Sequence, residues 1–152
     1  MTVEERLAAL EARLRAAEDE LAIIRLLSSY GPLVDSGQSE AAAAMWIEGG
    51  TYDYSGGAEA TAPDGLIAAY EGPEHQGLVA AGCSHLTATP RITLHGDRAE
   101  ALAYSYVVKR RDGEWFFYRA AINHWSLVRM PDGWRIERRT NRLLQGTEES
   151  HA

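Results

Sequence analysis

The chain has 152 residues, 45% hydrophobic and 24% charged, a balance that suits one compact domain with a sizeable core and not a disordered chain. Its net charge of −7, with no basic block, excludes the electrostatic footprint expected of a nucleic-acid or anionic-membrane partner. The lone cysteine, Cys83, excludes intrachain disulfides and cysteine-rich metal sites. An acidic N-terminus and the lack of a long apolar run make a cytoplasmic protein the expectation.

Residues 3–27 carry the strongest helical pattern. Leu7, Leu10, Leu14, Ala17, Leu21 and Ile24 alternate steps of three and four, a heptad seam that either packs on its own domain or joins a partner chain. The helix is expected over about 3–30, because Gly31 and Pro32 tend to kink or end it, with Asp35 opening the next turn. A second helix is expected over Ser39–Trp46 (SEAAAAMW), then a short strand between glycine turns in GGTYDYSGG. Pro63–Glu71 reads as a third helix, with Pro63 in its first turn and Asp64 near its positive end. PEHQGLVAAG adds a helical turn or two.

From Ser84 onward the period becomes two. SHLTATPRITLHGD, DRAEALAYSYVVKRRDG, EWFFYRAAINHWSLVRMPDG and GWRIERRTNRLL read as long strands divided by His95-Gly96, Asp112-Gly113 and Asp132-Gly133. In the second of these, Ala99, Ala101, Ala103, Ser105 and Val107 share one face. Glu100, Leu102, Tyr104, Tyr106 and Val108 share the other, which fits a sheet curved around something. Helices first and an antiparallel meander afterwards make the fold α+β. Residues 1–147 are expected to form one domain and 148–152 a frayed polar tail.

Five histidines are the natural candidates for acid–base work, since only this side chain has an unperturbed pKa near neutrality. His95 sits in a turn and His151 in the tail, His75 in a short helix, and His124 in mid-strand. His85 opens the first long strand directly after small residues, where a strand edge can face a cavity. Without HxH, HxxxH, HExxH or Gly-x-Ser-x-Gly patterns, neither a metal nor a serine nucleophile is expected. A carboxylate is the usual partner of a catalytic histidine, and Asp35 is a candidate. Spacing alone leaves Tyr30 and Asp35 open to two readings, punctuation of a helix end or half of an active site.

The helix ending in Tyr30-x4-Asp35, Trp46 in the second helix, SHLTATPRITLHGDRAEA and LVRMPDGWRIERR together resemble the SnoaL-like branch of the nuclear transport factor 2-like superfamily, over about residues 18–145. The resemblance is greatest to its bile-acid 7α-dehydratase, and looser to its hexachlorocyclohexane dehydrochlorinase and scytalone dehydratase members. It implies a cone-shaped α+β barrel, a strongly curved and mainly antiparallel sheet wrapped around N-terminal helices and an apolar pocket. By that resemblance His85 is the base, Asp35 orients it, and Tyr30 hydrogen-bonds at the reacting end. The pocket acid of the bile-acid enzyme falls on Val107, and its late arginine corresponds to Arg142. Trp46, Tyr54, Tyr106, Tyr118 and Trp125 would wall the pocket, with Asn123 as a polar contact. The implied function is a cofactor-free dehydratase acting on a hydrophobic cyclic substrate such as a steroid, polyketide or terpenoid. The same Asp-His pair would serve an isomerase or cyclase. A non-catalytic ligand binder or a dioxygenase β-type subunit stands as the rival class. A homo-oligomer is expected, a trimer before a dimer.

Overall fold

The computed structural model describes residues 1–54 and 57–147; the expected tail at 148–152, with His151, lies outside the described residues, as do Ser55 and Gly56. Four helices are described: α1 (Val3–Asp35), α2 (Ser39–Ala43), α3 (Asp64–Glu71) and α4 (Pro73–Ala81). The strands are β1 (Trp46–Asp53), β2 (Glu59–Thr61), β3 (Cys83–Thr87), β4 (Arg91–His95), β5 (Arg98–Arg111), β6 (Glu114–Met130) and β7 (Gly133–Leu143).

A capping box starts α1: Thr2 Oγ1 accepts from the Glu5 N–H, and the Glu5 carboxylate accepts from the Thr2 N–H. The helix does not stop at Gly31-Pro32, as its sequence suggests, but runs on to Asp35. Pro32 lies in the last turn, where its missing N–H deprives only the carbonyl of Ser28, an exposed residue. Gly31 answers a different need. A Cβ there would run into the carbonyl oxygen of His85, so the glycine lets β3 lie directly against α1.

The strands form one sheet in the order β2-β1-β7-β6-β5-β3, with β4 also on β5. All pairings are antiparallel except β1 with β7. The α+β class and the curved sheet are as expected, but the barrel does not close: no ladder joins edge strands β2 and β3 among the described residues. Two details of the sequence reading also change. The second helix ends at Ala43 and Trp46 begins β1 instead. The first long strand splits into β3 and β4 around Ala88–Pro90, because a proline cannot donate to the ladder; β3 pairs with the far half of β5 and β4 with its near half. The turn between β5 and β6 has positive φ at both Asp112 (52°) and Gly113 (86°), as a two-residue hairpin requires.

Ile23, Leu27 and Val34 of α1, Leu66 of α3, Leu127 of β6 and Ile136 of β7 make the core with the inward alanines 99, 101 and 103 of β5. Those alanines leave room for the helix packed on them, and the bulky face of β5 points away from it. On the far side of the core, Asp19 accepts from Arg129 at 2.7 and 2.6 Å and from the Trp134 indole at 3.1 Å, fastening α1 to the β6–β7 hairpin. No helix among the described residues is long and apolar enough to cross a membrane.

Candidate active site

The last turn of α1 and the first residues of β3 meet side by side, and this contact brings Asp35 to His85. One carboxylate oxygen of Asp35 accepts from the His85 backbone N–H at 2.7 Å. The other lies 2.6 Å from His85 Nδ1 and 3.4 Å from the Cys83 thiol. Burial pushes the Asp35 pKa up, but the donations from the His85 ring and backbone, the charge of His85 and the Cys83 thiol outweigh it, leaving the pKa below 3.8. The carboxylate is therefore ionised near neutrality and can only accept, so Nδ1 donates to it and Nε2 is the nitrogen left to exchange a proton with a ligand. His85 lines a cavity that Asp35 does not, and with Nδ1 turned to Asp35, Nε2 is the ring nitrogen left for it.

That cavity holds about 360 Å³, at the small end of the range for ligand pockets. Tyr30, Tyr52, Tyr54 and Tyr70 line it together with Leu78, Glu74, His75, His85 and Arg119. The Tyr30 ring stands edge-on to His85, with centroids 6.2 Å apart. Burial first, and the Tyr30 hydroxyl after it, push the phenols of Tyr52 and Tyr70 well above the ordinary phenol value. Both therefore remain protonated and able to donate.

Two residues that sequence reasoning did not single out complete the site. Arg139 is buried, and its guanidinium lies 4.4 Å from the ring centres of both Tyr30 and Tyr52. It donates through Nε to Asn123 Oδ1 at 2.8 Å, and no carboxylate forms an ion pair with it among the described residues. Burial acts to lower its pKa and the surrounding tyrosine oxygens offset this, so it stays charged. His75 is the second. Its ring centre is 5.6 Å from that of His85, its Nδ1 donates to the Tyr70 carbonyl at 2.9 Å, and its Nε2 is buried without a partner. Burial holds the His75 pKa below 6.5, with the charge of His85 acting the same way and the Tyr70 carbonyl opposing both. His75 is thus neutral near pH 7, with Nε2 an open acceptor.

The other residues expected at the site lie elsewhere, apart from Tyr54, which lines the cavity. Trp46 is buried behind Tyr30, their ring centres 6.3 Å apart. Asn123 is wholly buried, giving its amide to Ser105 and taking bonds from Arg139 and Asn141, so it anchors Arg139 and does not reach the cavity. Trp125 stacks behind Arg139 at 5.5 Å. Tyr106 faces outward beside Phe117, Tyr118 is half exposed at a bulge, and Arg142 pairs with Asp53 through two bonds of 2.8 and 2.7 Å. Val107, aligned with the missing pocket acid, is the buried ladder partner of His85.

Asp35, Cys83 and His85 also place three potential metal donors within 4.8 Å of one another. Burial and the Asp35 carboxylate push the Cys83 thiol up to about 12, so in this arrangement it donates its proton to Asp35.

Residues 15–140 match the SnoaL-like domain. The chain belongs to this family. A nuclear transport factor 2-like protein with a cystatin-like fold from Novosphingobium aromaticivorans shares 39% identity with this SnoaL-like chain, over 95% of it and 94% of the relative, with a TM-score of 0.92. A protein provisionally named scytalone dehydratase, from the same organism, superposes with a TM-score of 0.71 at 20% identity, over 90% and 89% of the two chains. ActVI-ORFA from Streptomyces coelicolor does so with a TM-score of 0.72 at 20% identity, over 82% and 96%. No curated protein matches the chain.

Proposed function

We propose that this SnoaL-like protein is a cofactor-independent carbon–oxygen lyase, a dehydratase of a compact hydrophobic cyclic substrate. The observation that carries this reading is the Asp35–His85 pair, with Nδ1 committed to the carboxylate and Nε2 free at an aromatic cavity. His85 Nε2 takes a proton from the carbon next to a carbonyl, and the electron pair of that C–H bond forms an enolate. As the enolate collapses, the new C=C bond forms and the C–O bond of the β-hydroxyl breaks. The imidazolium returns its proton to the departing oxygen, so water leaves and the site ends as it began. Proton transfer by one positioned base contributes roughly 10²–10⁴-fold.

Each neighbour has a part in this scheme. Asp35 stabilises the imidazolium formed midway. The hydroxyls of Tyr30 and Tyr52 donate to the enolate oxygen, and the buried charge of Arg139 behind both rings strengthens that donation in a site of low dielectric. The His75 ring, at the cavity wall beside His85, limits how the substrate lies against the base. A cavity of about 360 Å³ lined by tyrosines suits a flat ring system, aromatic or polyketide-like, better than a large saturated one. The structural neighbour named for scytalone dehydratase is consistent with this class. The same base would also shift a proton between carbons, so isomerisation is the alternative outcome for a substrate with no β-hydroxyl.

The test is incubation of wild type and His85→Gln with a panel of cyclic β-hydroxy-ketones, read by mass spectrometry. Water loss with the wild type alone is expected. Equal turnover by both proteins would remove His85 as the base. Equal thermal protection of both by one ligand class, without turnover, would make the protein a ligand binder.

A further inference from the structure

One face of the first two-thirds of α1 serves neither the core nor the cavity. Leu7, Leu10, Leu14 and Leu21 are 56, 56, 60 and 45% exposed, a costly state for a row of large apolar side chains in water. The domain cannot cover them by shifting, because α1 is already fixed by another side. Ala12, Ala16, Asp19, Ile23, Leu27, Tyr30 and Val34 follow one another at steps of three and four. Ala12, Ala16 and Asp19 line the groove beside Arg129, Asp19 is tied to Arg129 and Trp134, and the last four are core residues. With Leu7, Leu14 and Leu21 at heptad position a, and Val3, Leu10, Ala17 and Ile24 at d, the fastened residues Ala12 and Asp19 fall at f, on the opposite side of the helix.

The charges beside the seam say what covers it. Positions g are Arg6, Arg13 and Glu20, and positions e are Glu11, Glu18 and Arg25. In a parallel, in-register coiled coil each g residue meets the e residue five positions later on the other helix. The meetings are then Arg6 with Glu11, Arg13 with Glu18 and Glu20 with Arg25, all of opposite charge. In an antiparallel arrangement centred on the seam, Arg13 meets Arg13 and Glu11 meets Glu18. None of the six is in an ion pair among the described residues.

We propose that residues 3–24 of α1 pair with the same segment of a second copy of this chain as a parallel, in-register coiled coil. The domains hang from the outer faces of the two helices, because the fastened residues Ala12 and Asp19 lie opposite the seam. The coil ends at Ile24 for a structural reason: Ser28, Gly31 and Asp35 continue positions a, d and a, and β3 lies there on the chain's own helix. A coil of three heptads is short, but the domain already holds each helix formed, which removes the nucleation cost that defeats short isolated helices.

Charge reversal tests both partner and orientation without touching the domain. Arg6→Glu/Arg13→Glu gives a chain with only acids at the first two e–g meetings, and Glu11→Arg/Glu18→Arg gives one with only bases. Full-length wild type is expected to associate at tens of micromolar by light scattering in low salt, and each double variant alone to associate roughly tenfold or more weakly. An equimolar mixture of the two variants is expected to recover association, since every meeting is again of opposite charge. Circular dichroism checks that both variants stay folded. A monomeric wild type overturns the proposal, as do double variants that associate like the wild type or a mixture that stays apart.

Discussion

Asp35→Asn isolates the tautomer argument from packing, because the two side chains have the same shape. Asparagine offers one acceptor oxygen and one donor NH₂ where aspartate offers two acceptors. The His85 backbone N–H, now 2.7 Å from Oδ2, cannot change its role, so the amide oxygen must turn to it. The NH₂ group then faces His85 Nδ1, which sits 2.6 Å from Oδ1 in the wild type. Nδ1 must present its lone pair, and the ring proton moves to Nε2, the atom proposed to act as base. The same substitution in the serine-protease triad lowers kcat by about 10⁴, and a loss of about 10³–10⁴ in turnover is expected here. Stability should fall by only about 1–2 kcal/mol, since hydrogen bonds to a charged group become neutral ones and only the long, weak bond from the Cys83 thiol loses its acceptor. For a chain of this size that is a shift of a few degrees in Tm. Long-range ¹H–¹⁵N correlation of the imidazole nitrogens, recorded at a pH where the ring is neutral, reads the tautomer without any substrate. The wild type should show Nδ1 protonated and Nε2 bare, and Asp35→Asn the reverse. A bare Nδ1 in the wild type, or the same pattern in both proteins, would refute the reasoning.

Gly31→Ala drives a methyl group into the His85 carbonyl, so it should cost about 1–3 kcal/mol or more by denaturant unfolding and alter the imidazole spectrum; unchanged stability would mean that β3 does not lie against α1. Arg139→Met removes a buried charge that has no acid partner while leaving Asn123 Oδ1 bonded to Asn141. Stability should therefore change by less than about 2 kcal/mol while turnover falls at least about tenfold, and a collapse of the fold with no selective loss of activity would sink the functional role. Acid sensitivity should come from two groups in separate windows. Asp35, with its pKa held below 3.8, contributes stability that is complete above that value and is lost as pH falls below it. His75, with its pKa held below 6.5, makes the fold lose stability earlier, as pH drops from about 6.5 through its folded value. His75→Gln should flatten only that earlier window in pH-dependent melts, and a curve identical to wild type would place His75 in solvent.

Much of the fold was legible because it follows from periodicity. The alternation in residues 98–130 and the Asp-Gly pair at 112–113 set the long hairpin, and the small-residue face of β5 announced a close neighbour. The sequence could not say on which face that neighbour sits. Tyr106 looked like pocket wall because it is aromatic, yet the cavity side of the sheet is the alanine side, where α1 needs the space. The Asp35–His85 pairing rested on resemblance, since fifty residues separate the partners and no local rule links a helix end to a distant strand edge. His75 was unreadable for the same reason: its value lies in contact with His85 across the α4–β3 junction.

Arg139 shows a different failure, and a physical one. Strict alternation from Trp134 and Ile136, both buried, puts Arg138 inside and Arg139 outside. The ladder, however, slips by one residue between Ser126 and Leu127, so that Ile136 faces Leu127 while Arg138 faces Ser126 and Glu137 is the extra residue. Beyond the bulge every side chain changes face. Arg139 and Asn141 turn inward, and Arg138 and Arg142 turn outward, Arg142 to Asp53. A second bulge, between Val107 and Val108, makes Tyr118 the extra residue and leaves Arg119 at the cavity and Phe117 in solvent. The arginine-rich run RIERRTNR offered four candidates for one buried place, and a single extra residue in the ladder chose among them. Deleting Glu137, the extra residue, should therefore straighten β7 and keep Arg139 inward, because the pairs Leu127–Ile136 and Ser126–Arg138 then follow one another directly. Such a chain should keep the charge behind Tyr30 and Tyr52 and turn over like the wild type, and a selective loss of turnover in a folded chain would mean that the bulge itself, and not the face it assigns, positions Arg139.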